Sequence, residues 1–145
     1  MNEKKMLTVG WREWLALPEL GLPHIKAKID TGARTSCLHA FSVEPFTNEG
    51  APWVRFGIHP HQDDLDTEIY CEAKVTDQRE VTDSGGHKEL RYVITTPVAL
   101  GTVHKSIEIT LTNRDTMKFR MLLGRTAMED SIIVNPSASH LLGDN

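Results

Sequence analysis

The chain has 145 residues, which suits a single domain that buries roughly 68–70% of its unfolded surface. Hydrophobic residues make up 39% and charged residues 25%, ordinary proportions for a soluble globular protein. A net charge of −4 argues against broad nucleic-acid binding, which needs a basic face. Cys37 and Cys71 are too few for a disulfide framework. We therefore expect one domain over residues 1–145 and no nucleic-acid partner.

The N-terminal residues, Met1-Asn2-Glu3-Lys4-Lys5, lead into no long apolar run, unlike a secretory signal peptide. Every uninterrupted apolar stretch is far shorter than the ~20 residues that a membrane-spanning helix needs. We expect a cytoplasmic protein in a reducing compartment, without a membrane partner.

Alternation of apolar and polar residues with a period of two dominates the chain and predicts strands. Short strands bounded by Gly, Pro, Asn and Asp are typical of a compact all-β barrel or sandwich. The apolar sets with this period are Ile25, Ala27 and Ile29; Val54, Phe56 and Ile58; Cys71, Ala73 and Val75; Ile107, Ile109 and Leu111; and Phe119, Met121 and Leu123.

The first of these strands ends in Asp30-Thr31-Gly32-Ala33, which places a carboxylate directly before a tight turn. Gly32 permits backbone conformations or close approaches that a Cβ would prevent. Thr31 supplies a hydroxyl that can hydrogen-bond to backbone or to a neighbouring chain. The alternative role for Asp30 is structural, because an Asp in a turn often caps its own backbone.

Two further local signals lie downstream of this motif. Ser84-Gly85-Gly86 separates two strand-like runs, and Gly-Gly in that setting predicts a hairpin turn. The strand Met121-Leu122-Leu123 ends in Gly124-Arg125. Thr126 with Glu129 then forms a capping-box pattern, which predicts a short helix from Ala127 to about Ile132.

The Asp-Thr-Gly-Ala motif and the downstream Leu-Leu-Gly-Arg motif, in this order, resemble the retropepsins, the retroviral-type aspartic peptidases. More narrowly, residues 27–40 and the runs 107–114 and 121–125 resemble a bacterial retropepsin-like family. Its members are often encoded beside ATP-grasp glutamate ligases that modify ribosomal proteins, and they have carried the name "ATP-dependent zinc protease". The resemblance extends from about Val9 to Pro136.

This resemblance implies a mostly β fold, a closed acid-protease barrel with one short C-terminal helix after Arg125. It also implies that Ser84, Gly85 and Gly86 lie in the flap, a mobile hairpin that closes over the substrate. The alternative for this segment is a plain surface hairpin.

The activity implied is hydrolysis of peptide bonds. Without a metal or a nucleophilic side chain, one group must activate water and another must polarise the carbonyl. Two carboxylates roughly 3 Å apart do both, because they cannot both ionise. The chain has one Asp-Thr-Gly, so we predict a homodimer in which each subunit contributes Asp30, with Thr31 and Gly32 holding the carboxylates coplanar. Asp83 could supply a second carboxylate, but we interpret it as a flap residue.

Two arginines distinguish the chain from viral retropepsins, which usually carry an acidic residue after Asp-Thr-Gly-Ala that pairs with the downstream Arg. Here Arg34 occupies that position, so Arg34 and Arg125 cannot form that ion pair. Guanidinium groups are preferred partners of carboxylates. With the link to glutamate ligases, this predicts that Arg34 and Arg125 bind an acidic or glutamate-extended peptide. In the alternative, acidic residues from elsewhere in the chain neutralise each arginine.

Other chemistries have weaker support in the sequence. His59-Pro60-His61 precedes several acidic residues, but there is no His-Glu-x-x-His and no cysteine pair with metal spacing. No metal site is predicted, and a zinc-dependent hydrolase is the less favoured enzymatic alternative. No phosphate-binding glycine loop is present, and we expect no cofactor. Cys37 and His39 would lie about 6–7 Å apart on one strand, which favours structural roles over a Cys–His nucleophile. A β-barrel binding or dimerisation module that has lost catalysis is the non-enzymatic alternative.

Overall fold

The computed structural model describes residues 6–82, 85–113 and 118–143. The chain is mostly β, with 58% strand, and this agrees with a retropepsin-like fold and with the period-two alternation. A short α-helix, α1, spans Arg125–Met128, and a one-turn 3-10 helix spans Pro18–Leu20. The strands of the described residues are β1 (Leu7–Val9), β2 (Arg12–Leu17), β3 (Leu22–Ile29), β4 (Ser36–His39), β5 (Ser42–Asn48), β6 (Ala51–Ile58), β7 (Ile69–Lys74), β8 (Asp77–Thr82), β9 (Lys88–Leu100), β10 (Val103–Thr112), β11 (Met121–Leu123) and β12 (Ile132–Val134).

A seven-stranded sheet carries the two motifs, in the order β10-β4-β11-β3-β2-β9-β8, and β9 also pairs with β10. Strands β5, β6 and β7 form a second sheet, and β1 pairs in parallel with β12. In the large sheet β11 is parallel to β3 and antiparallel to β4. The ends of β3 and β11 and the start of β4 therefore meet at one edge.

Both sheets bury one face in a common core. Ile25, Ala27 and Ile29 of β3 are buried while Lys28 is exposed, as the alternation predicts. On the second sheet, the apolar set of β6 is fully buried in the same cluster, as predicted. Ile107, Ile109 and Leu111 of β10 are buried in that cluster as well. Phe119 departs from the prediction, because it precedes β11 and is half-buried. The buried set of β6 consists of Val54, Phe56 and Ile58.

The helix after β11 is present, but its predicted bounds and its capping box are wrong. It begins at Arg125 with Gly124 as N-cap, so Thr126 already lies inside the first turn. Instead of capping the helix, Thr126 Oγ1 donates to the carbonyl of Arg34 at 2.9 Å. Glu129 is the C-cap residue, and the chain then turns into β12, which contains Ile132.

Strands β8 and β9 pair antiparallel from Asp77 opposite Val93 to Thr82 opposite Lys88, the arrangement that the hairpin prediction requires. Gly85 and Gly86 are exposed in the connection, and Gly86 has a φ of 83° that favours glycine. Asp83 and Ser84 lie outside the described residues. No helix in the described part of the chain is long and apolar enough to cross a membrane.

Candidate active site

Asp30 lies half-buried in the loop directly after β3, and backbone hydrogen bonds fix its position. Its N–H donates to the carbonyl of Leu123 at the end of β11 at 2.9 Å. The N–H of Gly32 donates to Asp30 Oδ1, also at 2.9 Å. Within the described residues no donor contacts Oδ2. The turn therefore orients the carboxylate through one oxygen and leaves the other available to a water or substrate.

Gly124 brings the end of β11 against the segment that begins β4. Its N–H donates to Ser36 Oγ at 3.0 Å in a buried hydrogen bond. A Cβ at this position would lie 2.6 Å from the carbonyl carbon of Thr35 and 2.8 Å from its oxygen. These distances are too short for any side chain, so only glycine allows this contact between the two backbones.

The junction of β11 and α1 holds the loop that follows Asp30. The backbone N–H of Arg125 donates to the carbonyl of Ala33 at 2.7 Å. Arg125 Nη1 lies 3.4 Å from the carbonyl oxygen of Thr31. The N–H of Thr126 donates to the carbonyl of Arg34 at 3.0 Å, beside the hydroxyl bond already described. The two motifs, which are distant in sequence, thus form one hydrogen-bonded unit.

The predicted substrate-binding residues are not all part of this unit. Arg34 and Arg125 are exposed, and neither forms an ion pair within the described residues. Their backbones belong to the Asp30 loop and its support. Gly85 and Gly86 lie on the β8–β9 connection and form no hydrogen bond with Asp30, while Ser84 lies outside the described residues.

The rival candidates occupy other environments. His59 stacks on Phe41, with ring centroids 4.3 Å apart, and its Nε2 lies 3.6 Å from Glu68 Oε2. Across the described ranges, no group of three or more His, Cys, Asp or Glu residues could hold a metal ion. Cys37 is buried, and Arg91 Nη1 donates to its Sγ at 3.6 Å. Burial raises the pKa of the Cys71 thiol to about 12, so this cysteine is unsuited to act as a nucleophile.

Residues near the site that sequence reasoning missed come from the start of β2. The carbonyl of Trp11 accepts a 2.8 Å hydrogen bond from the N–H of Ile29, the residue before Asp30. The Trp11 ring packs edge-on against Phe119, with centroids 5.8 Å apart, and the Arg12 guanidinium lies 4.7 Å from its centre. Pairing β2 with β3 in the sequence would have placed Arg12 opposite Lys28.

The chain is similar over nearly its whole length to part of several longer curated proteins. The chain is 48% identical over 144 residues to a protein of Shewanella pealeana named "Probable alpha-L-glutamate ligase". It is 49% identical over 140 residues to a protein of the same name from Parasynechococcus marenigrum. The matches cover 99% and 97% of this chain but 31% and 30% of those proteins. The chain thus spans less than a third of the length of these curated relatives.

A solved structure shares the fold. The crystal structure of Lpg0085, a protein of unknown function from Legionella pneumophila, superposes with a TM-score of 0.79 at 25% identity. The similarity covers 95% of this chain and 99% of that chain. Residues 8–143 match the RimB-like family, described as "Retropepsin-like aspartic endopeptidase RimB". This confirms the resemblance drawn from the two motifs: the chain belongs to the RimB-like family of retropepsin-like aspartic endopeptidases.

Proposed function

We propose that the chain is an aspartic endopeptidase whose catalytic pair forms from two copies of Asp30 at a homodimer axis. The observation that carries this proposal is the Asp30 loop, which the β11–α1 junction holds while Asp30 Oδ2 keeps no hydrogen-bond donor within the described residues. Thr31 and Gly32 complete the turn and keep the carboxylate in one orientation. Family membership supports the same chemistry.

In the proposed reaction, the ionised Asp30 of one subunit takes a proton from water as its oxygen attacks the peptide carbonyl carbon. The protonated Asp30 of the partner subunit donates its proton to the carbonyl oxygen. When the tetrahedral intermediate collapses, the C–N bond breaks and the amine nitrogen receives a proton from the carboxyl pair. One subunit alone lacks the second carboxylate, so association is part of the mechanism.

The proposal includes a closed barrel and a flap. The pairing of β9 with β10 supports closure, because it joins two strands that lie far apart in the strand order of the large sheet. The β8–β9 hairpin supports a flap formed by Ser84, Gly85 and Gly86, since the two described glycines of the connection are exposed and carry no side chain.

The proposed substrate is a peptide or protein with an acidic or glutamate-extended tail. Arg34 and Arg125 support this, because both are exposed beside the Asp30 loop without an ion pair in the described part of the chain. The relatives named "Probable alpha-L-glutamate ligase" contain a region like this chain within a much longer protein. That arrangement supports a functional link between this chain and a glutamate ligase.

The test compares cleavage of a glutamate-rich peptide by wild type and by Asp30→Asn. We expect the variant to lose roughly 10²–10⁴-fold in kcat, because no other residue is proposed to activate the water. Asp63→Asn, at an exposed position in the β6–β7 loop, is the matched control and should retain full activity.

Two results would contradict the proposal. If Asp30→Asn keeps wild-type turnover while a chelator abolishes it, the protein is a metal-dependent hydrolase. If wild type binds acidic peptides but cleaves none across a range of pH, the fold serves as a binding module.

A further inference from the structure

The outward face of β2 and β3 carries a line of cationic and aromatic side chains next to the Asp30 loop. In the antiparallel register Arg12 pairs with Lys28, and Trp14 pairs with Lys26. Paired residues project to the same face of a sheet, and the residues between them project to the other. The other face is buried and includes Leu15, Ile25 and Ala27. We call Arg12, Trp14, Lys26 and Lys28 the β2–β3 strip.

Two of the cations in this strip lie on aromatic rings. The Arg12 guanidinium lies 4.7 Å from the centre of the Trp11 ring, and Lys26 Nζ lies 5.2 Å from the centre of the Trp14 ring. Lys26 Nζ also donates to Gln62 Oε1 at 3.3 Å. These contacts hold the long side chains along the sheet surface and lower the entropy lost when they bind a ligand.

The charges of the strip are not neutralised within the described residues. Arg12, Lys26 and Lys28 form no ion pair there, and the buried Nε of Arg12 has no hydrogen-bond partner. On the opposite part of the sheet the arginines are paired. Arg79 contacts Glu108 at 2.7 Å, and Arg91 contacts Glu89 at 3.0 Å. In a chain of net charge −4, this grouping of unpaired cations is a local feature that favours an anionic ligand.

The strip leads directly to the candidate catalytic carboxylate. Lys28 precedes Asp30 by two residues, and the carbonyl of Trp11 accepts the N–H of Ile29. At about 3.3 Å per residue, Lys26 lies roughly 13 Å along the strand from Asp30. A bound peptide in an extended conformation would therefore reach from Asp30 to Lys26 with about four residues.

We propose that the β2–β3 strip is an exosite that binds the acidic part of a peptide substrate about four residues away from the bond at Asp30. This inference rests on the proposed function and adds a binding surface that neither sequence motif contains. A peptide fits better than a nucleic acid, because the strip is short, the chain is acidic overall, and carboxylates suit the Arg12 fork.

Binding is measured in the Asp30→Asn background by fluorescence anisotropy of a labelled oligoglutamate peptide at low and at higher salt. Removing two unpaired cations in Arg12→Ala/Lys28→Ala should weaken binding about tenfold and reduce its salt dependence. The matched control is Arg55→Ala/Lys74→Ala. Arg55 stacks on Tyr70 at 4.6 Å, much as Arg12 does on Trp11, but lies on the other sheet. This control should bind as the parent does.

The readout does not require cleavage, so this binding measurement distinguishes a failure of the exosite from a failure of the peptidase proposal. The exosite is contradicted if Arg12→Ala/Lys28→Ala binds oligoglutamate as tightly as the parent, or if the control loses affinity equally. Equal binding of an oligoglutamine peptide, or tighter binding of a single-stranded oligonucleotide, also contradicts it. Sedimentation of the double variant completes the test, because a simultaneous loss of self-association would assign these cations to a subunit contact instead.

Discussion

At the scale of single residues, the backbone around Asp30 decides what the carboxylate can do. The motif predicted a turn after a strand, and the Gly32 N–H to Asp30 Oδ1 bond shows that the turn also orients the carboxylate. Asp30 can therefore cap its own turn and still present an oxygen to water or substrate, because the two roles use different oxygens of its carboxylate. The sequence revealed Asp30, Gly124 and Arg125, since each stands at an abrupt change from apolar alternation to glycine or charge. It did not reveal Trp11 or Arg12, whose positions depend on strand pairing.

Glu13 shows how a buried charge positions this region. It is fully buried, and its carboxylate accepts hydrogen bonds from the N–H groups of Gly10, Leu141 and Leu142 at 2.7, 2.8 and 3.1 Å. These hydrogen bonds connect the C-terminal segment around Leu141 and Leu142 to the start of β2. We expect Glu13→Gln to lower the free energy of unfolding by about 2 kcal/mol, because an amide cannot accept all three donors.

Urea denaturation of the variant measures this cost. Glu19→Gln, at an exposed position of the 3-10 helix, is the control and should unfold as wild type does. Equal stability of Glu13→Gln and wild type would show that the carboxylate bonds contribute nothing.

Arg34 provides a test of substrate choice at the scale of one side chain. Because its guanidinium is exposed without an ion pair among the described residues, we expect Arg34→Ala to reduce kcat/KM roughly fivefold on an acidic peptide and leave a neutral peptide unaffected. The loss should be largest at low salt. Steady-state cleavage of both peptides gives the comparison, with Arg55→Ala as control. A similar loss on both peptides would assign Arg34 a structural role.

At the scale of secondary-structure elements, strands with a clear alternation were predictable, whereas two of the three-residue strands were not. The alternation in β3, β6 and β10 extends over eight to ten residues and carries a clear period. Strands β1 and β12 have three residues each, too few for any period, and they exist because they pair with each other. The predicted helix start was wrong because a contact between residues distant in sequence decides it. Thr126 is a residue type that often caps helices, but its hydroxyl donates to the carbonyl of Arg34 instead.

The base of the β8–β9 hairpin carries an ion-pair cluster that predicts a pH effect. Arg79 bridges Asp77 on β8 and Glu108 on β10 at 2.8 and 2.7 Å. The hydrogen bond from the Arg79 side chain, followed by that from the Gln78 N–H, lowers the pKa of Asp77 from 3.8. The folded state therefore holds this proton less tightly than the unfolded state. The contribution of Asp77 to stability is complete above pH 3.8 and is lost as pH falls through the folded-state pKa.

Unfolding of wild type and Asp77→Asn at roughly pH 6 and pH 3 tests this expectation. Wild type should be the more stable protein at the higher pH, and the difference should shrink at the lower pH. Asp63→Asn is the control, because the Asp63 carboxylate has no such partner among the described residues, and it should show no comparable change between the two conditions. A difference for Asp77→Asn that stays constant with pH would show that the ionised carboxylate is not the stabilising form.

At the scale of the whole molecule, the single chain provides half of the proposed catalytic pair. The sequence predicted the family and the mostly β architecture, because the two motifs and the alternation are local signals. It could not supply the proposed contact between subunits, since surfaces that meet across a symmetry axis leave no period in the sequence. The strip on β2 and β3 likewise emerges only when the register is known. Association and catalysis should therefore be tested together.

The most direct measurement mixes wild-type protein with increasing amounts of Asp30→Asn protein and follows cleavage of a glutamate-rich peptide. If two Asp30 carboxylates act as a pair, each mixed dimer is inactive. Random assortment at equal amounts then places about half of the wild-type subunits in inactive dimers. We predict that activity per wild-type subunit falls to about half in this mixture and continues to fall as the variant is added in excess. Activity per wild-type subunit that stays constant throughout the titration would contradict the shared catalytic pair.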